Sequence, residues 1–132
     1  MTIIQNCVEI QKPASEVYAF LADCNNHEKL MPSNVYNWSS TQDEARFTIQ
    51  NMAKLALKVE QRIENQEVVF VPSEKAPFDV KLRWIIEPTG ENSAKATHII
   101  EADLNMMMKM LASGPLQKLV DFQVEKLKEV LV

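Results

Sequence analysis

Four polar side chains interrupt otherwise apolar faces of the predicted strands and helices, and they are the residues whose types could do chemistry. They are Asn6, Gln61, His98 and Gln123. Each of the first three has an aliphatic residue two positions before it and two positions after it, as on one face of a strand. Gln123 falls inside a helical apolar stripe. A mostly apolar pocket keeps its few specificity groups in such places, and each buried amide needs a hydrogen-bond partner or a water molecule. The pattern favours a hydrophobic pocket with a small number of hydrogen-bonding groups.

His98 is the best single candidate for contact with a ligand. It lies between Ala96 and Ile100 on a strand face that we expect to be concave. An imidazole can bind a ligand through a hydrogen bond or transfer a proton near neutral pH. It can also be a core histidine that a neighbouring residue satisfies, so three roles stay open. His27, at a polar helix end, is expected to be exposed.

Motifs for other chemistries are missing. The chain has two glycines, Gly90 and Gly114, which excludes glycine-rich nucleotide loops and the G-x-S-x-G nucleophile elbow. Cys7 and Cys24 form no CxxC pair, and we expect both to be reduced, unpaired thiols. Only Cys24 and His27 have a spacing typical of zinc ligands, and no HExxH pair or acidic cation loop accompanies them. We therefore expect neither a metal nor a cofactor.

Charge and length narrow the class of protein. The 14 basic and 18 acidic residues give a net charge of −4, too mild and too evenly spread for nucleic-acid binding. The sequence shows no leader-like start and no apolar run that could span a bilayer. We expect a cytoplasmic protein without membrane insertion, folded as one domain over residues 1–132. The sequence does not indicate the oligomeric state.

Hydrophobic periodicity predicts an α+β protein. The stretch Thr2 to Gln11 alternates as a half-buried strand does, and two short helices are expected between Pro13 and Pro32. Polar breakers divide residues 35–104 into five or six antiparallel strands. A long amphipathic helix is expected from Pro115 to Leu131, with Gly114 and Pro115 marking its start.

This order of elements resembles the START-like superfamily (SRPBCC), which includes polyketide cyclases and the birch-pollen allergen. The most telling segment is residues 10–23, IQKPASEVYAFLAD, which is similar to the opening of many bacterial members. Residues 28–32, EKLMP, are similar to the Trp-x-Pro stretch that often closes the second helix, although Leu30 and Met31 stand where an aromatic residue is frequent. The resemblance implies a helix-grip fold, in which a curved antiparallel sheet surrounds a long C-terminal helix and an apolar cavity.

Proteins of this kind mostly bind or carry hydrophobic molecules. The resemblance therefore implies a small lipid, polyketide-like or aromatic ligand. A minority use the cavity as a reaction chamber, so a cyclase or dehydratase with His98 as acid or base and Gln61 or Gln123 orienting the substrate is an alternative. We lean away from an enzyme, and assign no catalytic residue, because no second titratable group accompanies His98. A protein-interaction module is the third alternative.

Eight residues are candidates for the cavity wall, namely Asn6, Gln61, Trp84, His98, Ile100, Met106, Met110 and Gln123. The two methionines belong to the stretch Asn105 to Leu111, which holds four of the seven methionines of the chain. Thioether side chains adapt to varied apolar surfaces, so this stretch could be a pliable lid over the cavity mouth. A short turn packed against the sheet is the other interpretation.

Overall fold

The computed structural model describes residues 1–131 and contains one antiparallel sheet, two α-helices and one 3₁₀ helix. In chain order the elements are β1 (Thr2–Ile10), α1 (Ala14–Leu21), the 3₁₀ helix (Cys24–Leu30), β2 (Val35–Ser40), β3 (Glu44–Ile49), β4 (Ala53–Ile63), β5 (Glu67–Pro72), β6 (Val80–Gly90), β7 (Ser93–Ala102) and α2 (Met106–Val130). The predicted helix-grip fold, with two short helices after the first strand, is confirmed.

The seven strands form a half-barrel in the order β1-β7-β6-β5-β4-β3-β2. Every neighbouring pair is antiparallel, and the first strand pairs with the last, from Thr2 opposite Ala102 to Ile10 opposite Ala94. Helix α2 lies in the concave side, where it packs mainly against β1 and also against the 3₁₀ helix and β7. The core lies between this concave face and the helices.

Alternation along β6 and β7 separates the two faces of the sheet. Trp84 and Ile86 are buried on the concave face, as predicted. On the opposite face Arg83 bridges its two neighbouring strands, with Nη2 at 2.7 Å from the Glu67 carboxylate and Nη1 at 3.3 Å from that of Glu101. The half-exposed ion pairs and the apolar concave face together fix the register, because a slip by one residue would exchange the two faces.

Helix α2 begins at Met106, nine residues before Pro115, so the prediction that Gly114 and Pro115 mark its start is wrong. Asn105 caps the helix, since its side-chain Oδ1 accepts a hydrogen bond of 2.8 Å from the Met108 N–H. Pro115 lies inside the helix and has no N–H to donate, which removes one helical hydrogen bond. Good helix formers on both sides, mainly methionine, leucine and lysine, allow the helix to continue past it.

A bulge in β4 changes which side chains face the core. The register with β5 shifts between Val59 and Gln61, so that Gln61 pairs with Val69 and Arg62 with Val68. Val68 belongs to the core, whereas Gln61 is exposed. The extra residue in a bulge reverses the alternation of the strand beyond it, and Gln61 therefore faces away from the concave side.

Candidate functional site

A cavity lies between the concave face of the sheet, the 3₁₀ helix and α2. Its volume is about 50 Å³. Of its 20 lining residues, only His27, His98 and Gln123 have markedly polar side chains, and none is an aspartate, glutamate, lysine or arginine. The wall is therefore apolar, uncharged and interrupted by three hydrogen-bonding side chains.

His98 lies at the middle of β7, opposite Trp84 of β6 and Asn6 of β1. It is 1% exposed, and its ring packs on the Trp84 ring with centroids 4.2 Å apart. Among residues 1–131 neither ring nitrogen of His98 has a hydrogen-bond partner. Burial, assisted by the nearby His27, lowers the pKa of His98 to about 3. The ring is thus neutral at pH 7, with one N–H donor and one nitrogen acceptor both unsatisfied.

Gln123 contributes a second unsatisfied group from the helix side. The side chain is 3% exposed, and its Nε2 donates to the Met31 sulfur at 3.5 Å. Its Oε1 has no partner within the described part of the chain. An unsatisfied buried polar atom costs roughly 1–3 kcal/mol of stability, so these atoms call for an explanation.

His27 is a cavity residue that sequence reasoning missed, and the expectation that it is exposed is wrong. It is 6% exposed, its Nε2 donates to the Leu21 carbonyl at 2.8 Å, and its ring meets the edge of Phe70. Burial lowers its pKa. A 3₁₀ helix has three residues per turn, which places Cys24, His27 and Leu30 on one face, and all three are buried. The three-residue spacing of Cys24, His27 and Leu30 was the signal in the sequence that could have indicated the burial of His27.

Cys24 brings a thiol to the same wall. Burial raises its pKa to about 11, although the Arg62 guanidinium opposes this shift. The thiol is therefore protonated at neutral pH and is a poor nucleophile. Both Cys24 and the exposed Cys7 are free, as predicted.

Four of the eight predicted wall residues line the cavity. They are Trp84 of β6, His98 and Ile100 of β7, and Gln123 of α2. Their contact with a ligand stays a prediction.

The other four predicted wall residues do not line the cavity. Asn6 is on the concave side but donates from Nδ2 to the Asp121 carboxylate at 2.9 Å, which ties β1 to α2. Gln61 is turned outward by the bulge in β4. Met106 and Met110 lie in the first turns of α2 and are 81% and 79% exposed. These methionines begin a helix and do not form a short turn packed against the sheet, and their role as a lid stays a prediction.

Within residues 1–131, no three of the histidine, cysteine, aspartate and glutamate side chains group closely enough to hold a metal ion. The described helices include none that combines the length and apolar character needed to cross a bilayer.

Comparison with known proteins identifies the fold. No protein-family model and no curated protein sequence matches the chain. Solved structures do: a START superfamily protein from Mycobacterium smegmatis has a TM-score of 0.67 at 17% identity, covering 97% of this chain and 98% of that one. XoxI from Bacillus cereus has a TM-score of 0.79 at 11% identity, with 99% and 96% coverage. The di-domain ARO/CYC BexL has a TM-score of 0.68 at 17% identity, and the match covers 98% of this chain but 46% of BexL. The chain therefore has a START-like fold.

Proposed function

We propose that this protein binds a small hydrophobic molecule in the cavity between its sheet and α2. The observation that carries the proposal is an uncharged apolar cavity lined by His98 and Gln123, whose buried polar atoms have no partner among the described residues. Protein interiors are packed as densely as organic crystals, and buried polar groups are nearly always paired. A bound molecule that fills the space and satisfies those atoms explains both departures at once.

The size of the cavity limits the ligand or requires the wall to move. Pockets for drug-sized ligands are roughly 300–1,000 Å³, whereas this cavity offers about 50 Å³ to the centre of a water molecule. Two of the side chains that line it, Met31 and Met52, are flexible thioethers that are partly buried. The proposal is a ligand about the size of one or two aromatic rings, admitted by rearrangement of such side chains.

Thermal unfolding with and without toluene or naphthalene tests this function. A ligand that binds only the folded state raises the melting temperature. Ala45 lines the cavity, so Ala45→Leu should occupy part of the space and abolish the rise, while Ala19→Leu at an exposed position of α1 should retain it. Leu119→Phe provides a second cavity-filling variant. The proposal fails if neither compound stabilises the wild-type protein, or if both filling variants respond as the wild type does.

A reaction in the same cavity is the second candidate function. The unpartnered His98 ring favours it, as does the structural likeness to a protein described as ARO/CYC. The low pKa of His98 weighs against it, because an efficient general acid or base has a pKa near the working pH. For any substrate found, unchanged turnover in His98→Ala would remove the proton-transfer role.

A further inference from the structure

We infer that the ligand is an uncharged molecule with a hydroxyl group on an apolar skeleton, and that Gln123 and His98 bind this hydroxyl. The inference rests on the proposed function and names the chemical class of its ligand. It is drawn from the two side chains with unpartnered buried atoms, one on the helix side of the cavity and one on the sheet side.

Gln123 requires a hydrogen-bond donor. A thioether sulfur can only accept, so the amide nitrogen of Gln123 is the atom that faces Met31, at 3.5 Å. The amide oxygen of Gln123, a residue that lines the cavity, is then left without a partner among the described residues. A ligand group that only accepts, such as an ether or a ketone, would leave this oxygen unsatisfied.

His98 is complementary to the same group. Its neutral ring offers one N–H and one bare nitrogen, and neither is used by the described residues. A hydroxyl both donates and accepts. It can therefore donate a hydrogen bond to the Gln123 oxygen and accept one from the His98 N–H.

A charged ligand does not fit this wall. A carboxylate would be buried without a cation, since the lining includes no lysine or arginine, and burial opposes protonation of His98. An ammonium group would likewise find no aspartate or glutamate. The wall thus favours an alcohol or a phenol over a fatty acid or an amine.

Four ligands with the same ring system test the inference at pH 7: naphthalene, 2-naphthol, 2-methoxynaphthalene and 2-naphthoate. Titration calorimetry should show 2-naphthol binding about 10-fold more tightly than naphthalene, as expected for one or two well-formed buried hydrogen bonds. The methoxy compound should bind more weakly than 2-naphthol, because its oxygen can accept from the His98 N–H but cannot donate to the Gln123 oxygen. The naphthoate should bind at least about 100-fold more weakly than 2-naphthol, because its charge would be buried unpaired.

Two variants assign the preference to the named residues. Gln123→Leu and His98→Phe should each lower the affinity ratio of 2-naphthol to naphthalene toward one. Gln66→Leu, the same change at an exposed turn, should leave the ratio unchanged. If a variant fails to fold, the four wild-type affinities still decide.

The outcomes separate the two proposals. If naphthalene binds in the cavity but 2-naphthol binds no more tightly, or if the naphthoate binds best, the hydroxyl inference is overturned and the proposed function stands. If no compound of the series binds, and the toluene and naphthalene melting experiment is also negative, the proposed function fails and the inference falls with it.

Discussion

His98 makes the stability of the fold sensitive to acid. Its pKa is about 3 in the folded protein and about 6.5 in an unfolded chain. Between these values the unfolded chain binds the proton and the folded protein does not, so the free energy of unfolding falls as the pH falls. The stability is complete above pH 6.5 and is lost progressively down to about pH 3. His27, whose pKa is also lowered, acts in the same direction.

We therefore expect the wild-type protein to lose about 2 kcal/mol of stability between pH 7 and pH 5 through His98 alone. In His98→Phe this part of the loss should vanish, while the part from His27 remains. Urea unfolding at the two pH values measures both. Equal losses in the wild type and the variant would show that the His98 ring is not held neutral by burial.

At the residue scale, period-two alternation located Trp84, His98 and Ile100 on the concave face, and the helical stripe located Gln123. Neither pattern could locate His27. Its burial follows from the three-residue repeat of a 3₁₀ helix, and this helix is so short that the repeat extends over only two turns. Period-two alternation also misplaced Gln61. A single extra residue in β4 turns the side chains beyond it to the opposite face of the sheet, and this bulge leaves no signature in the sequence.

Helix α2 supplies one wall of the core through a stripe that includes Leu127. This residue is fully buried, so Leu127→Ala should lower the free energy of unfolding by roughly 2–5 kcal/mol, as buried leucine truncations do. Val130→Ala, three residues further along an exposed part of the same helix, should change it by less than about 0.5 kcal/mol. Denaturant unfolding of the two variants measures both values. Similar small changes in the free energy of unfolding at both sites would mean that the apolar stripe of α2 contributes little to the stability of the core.

The first turns of α2 differ from the rest of the helix in their packing. Met106, Met107, Met110 and Leu111 are all more than 70% exposed, and Pro115 interrupts the helical hydrogen bonds behind them. The adjoining surface groove includes Met52 and Phe78, which also line the cavity. We therefore propose that this groove is the entrance to the cavity and that the start of α2 is its movable edge.

We predict that the amides of Met106 to Leu111 exchange with solvent faster than those of Leu119 to Leu127, because few buried contacts oppose their local opening. A bound ligand should slow them selectively if this segment gates the cavity. Pro115→Ala restores the missing N–H and should slow the same amides without a ligand. Hydrogen-exchange mass spectrometry resolves the two segments. Equal exchange in both, with and without naphthalene, would place the entrance elsewhere, at the loops around Ser73 to Pro77.

At the scale of elements, Gly114 and Pro115 misled the sequence interpretation. Both residues disfavour a helix interior, and together they predicted a break that the structure does not contain. The neighbouring helix formers and the Asn105 cap outweigh them. Propensity at two positions is a weak guide when the flanking segments are strongly helical.

At the scale of the molecule, the architecture was predicted because the order of strand, two short helices, meander and long helix resembles that of the START-like superfamily. The three similar structures described above, with TM-scores of 0.67 to 0.79, share 11% to 17% identity with this chain. Fewer than one residue in five is identical in these comparisons, so the shared fold does not depend on most of the particular residues. The cavity wall depends on individual side chains, which is why four of its eight predicted members lie elsewhere.

The pairing of β1 with β7 also determines when the protein can fold during its synthesis. The ribosome delivers β1 first, yet Thr2 has its partner at Ala102 and the helix that covers β1 is α2. Until β7 and α2 have emerged, β1 has neither its strand neighbour nor its apolar cover. Contacts between segments so distant in the chain also make folding slow. A nascent chain arrested before Ser93 should therefore be cleaved rapidly by protease, and resistance should develop only after α2 has left the ribosome.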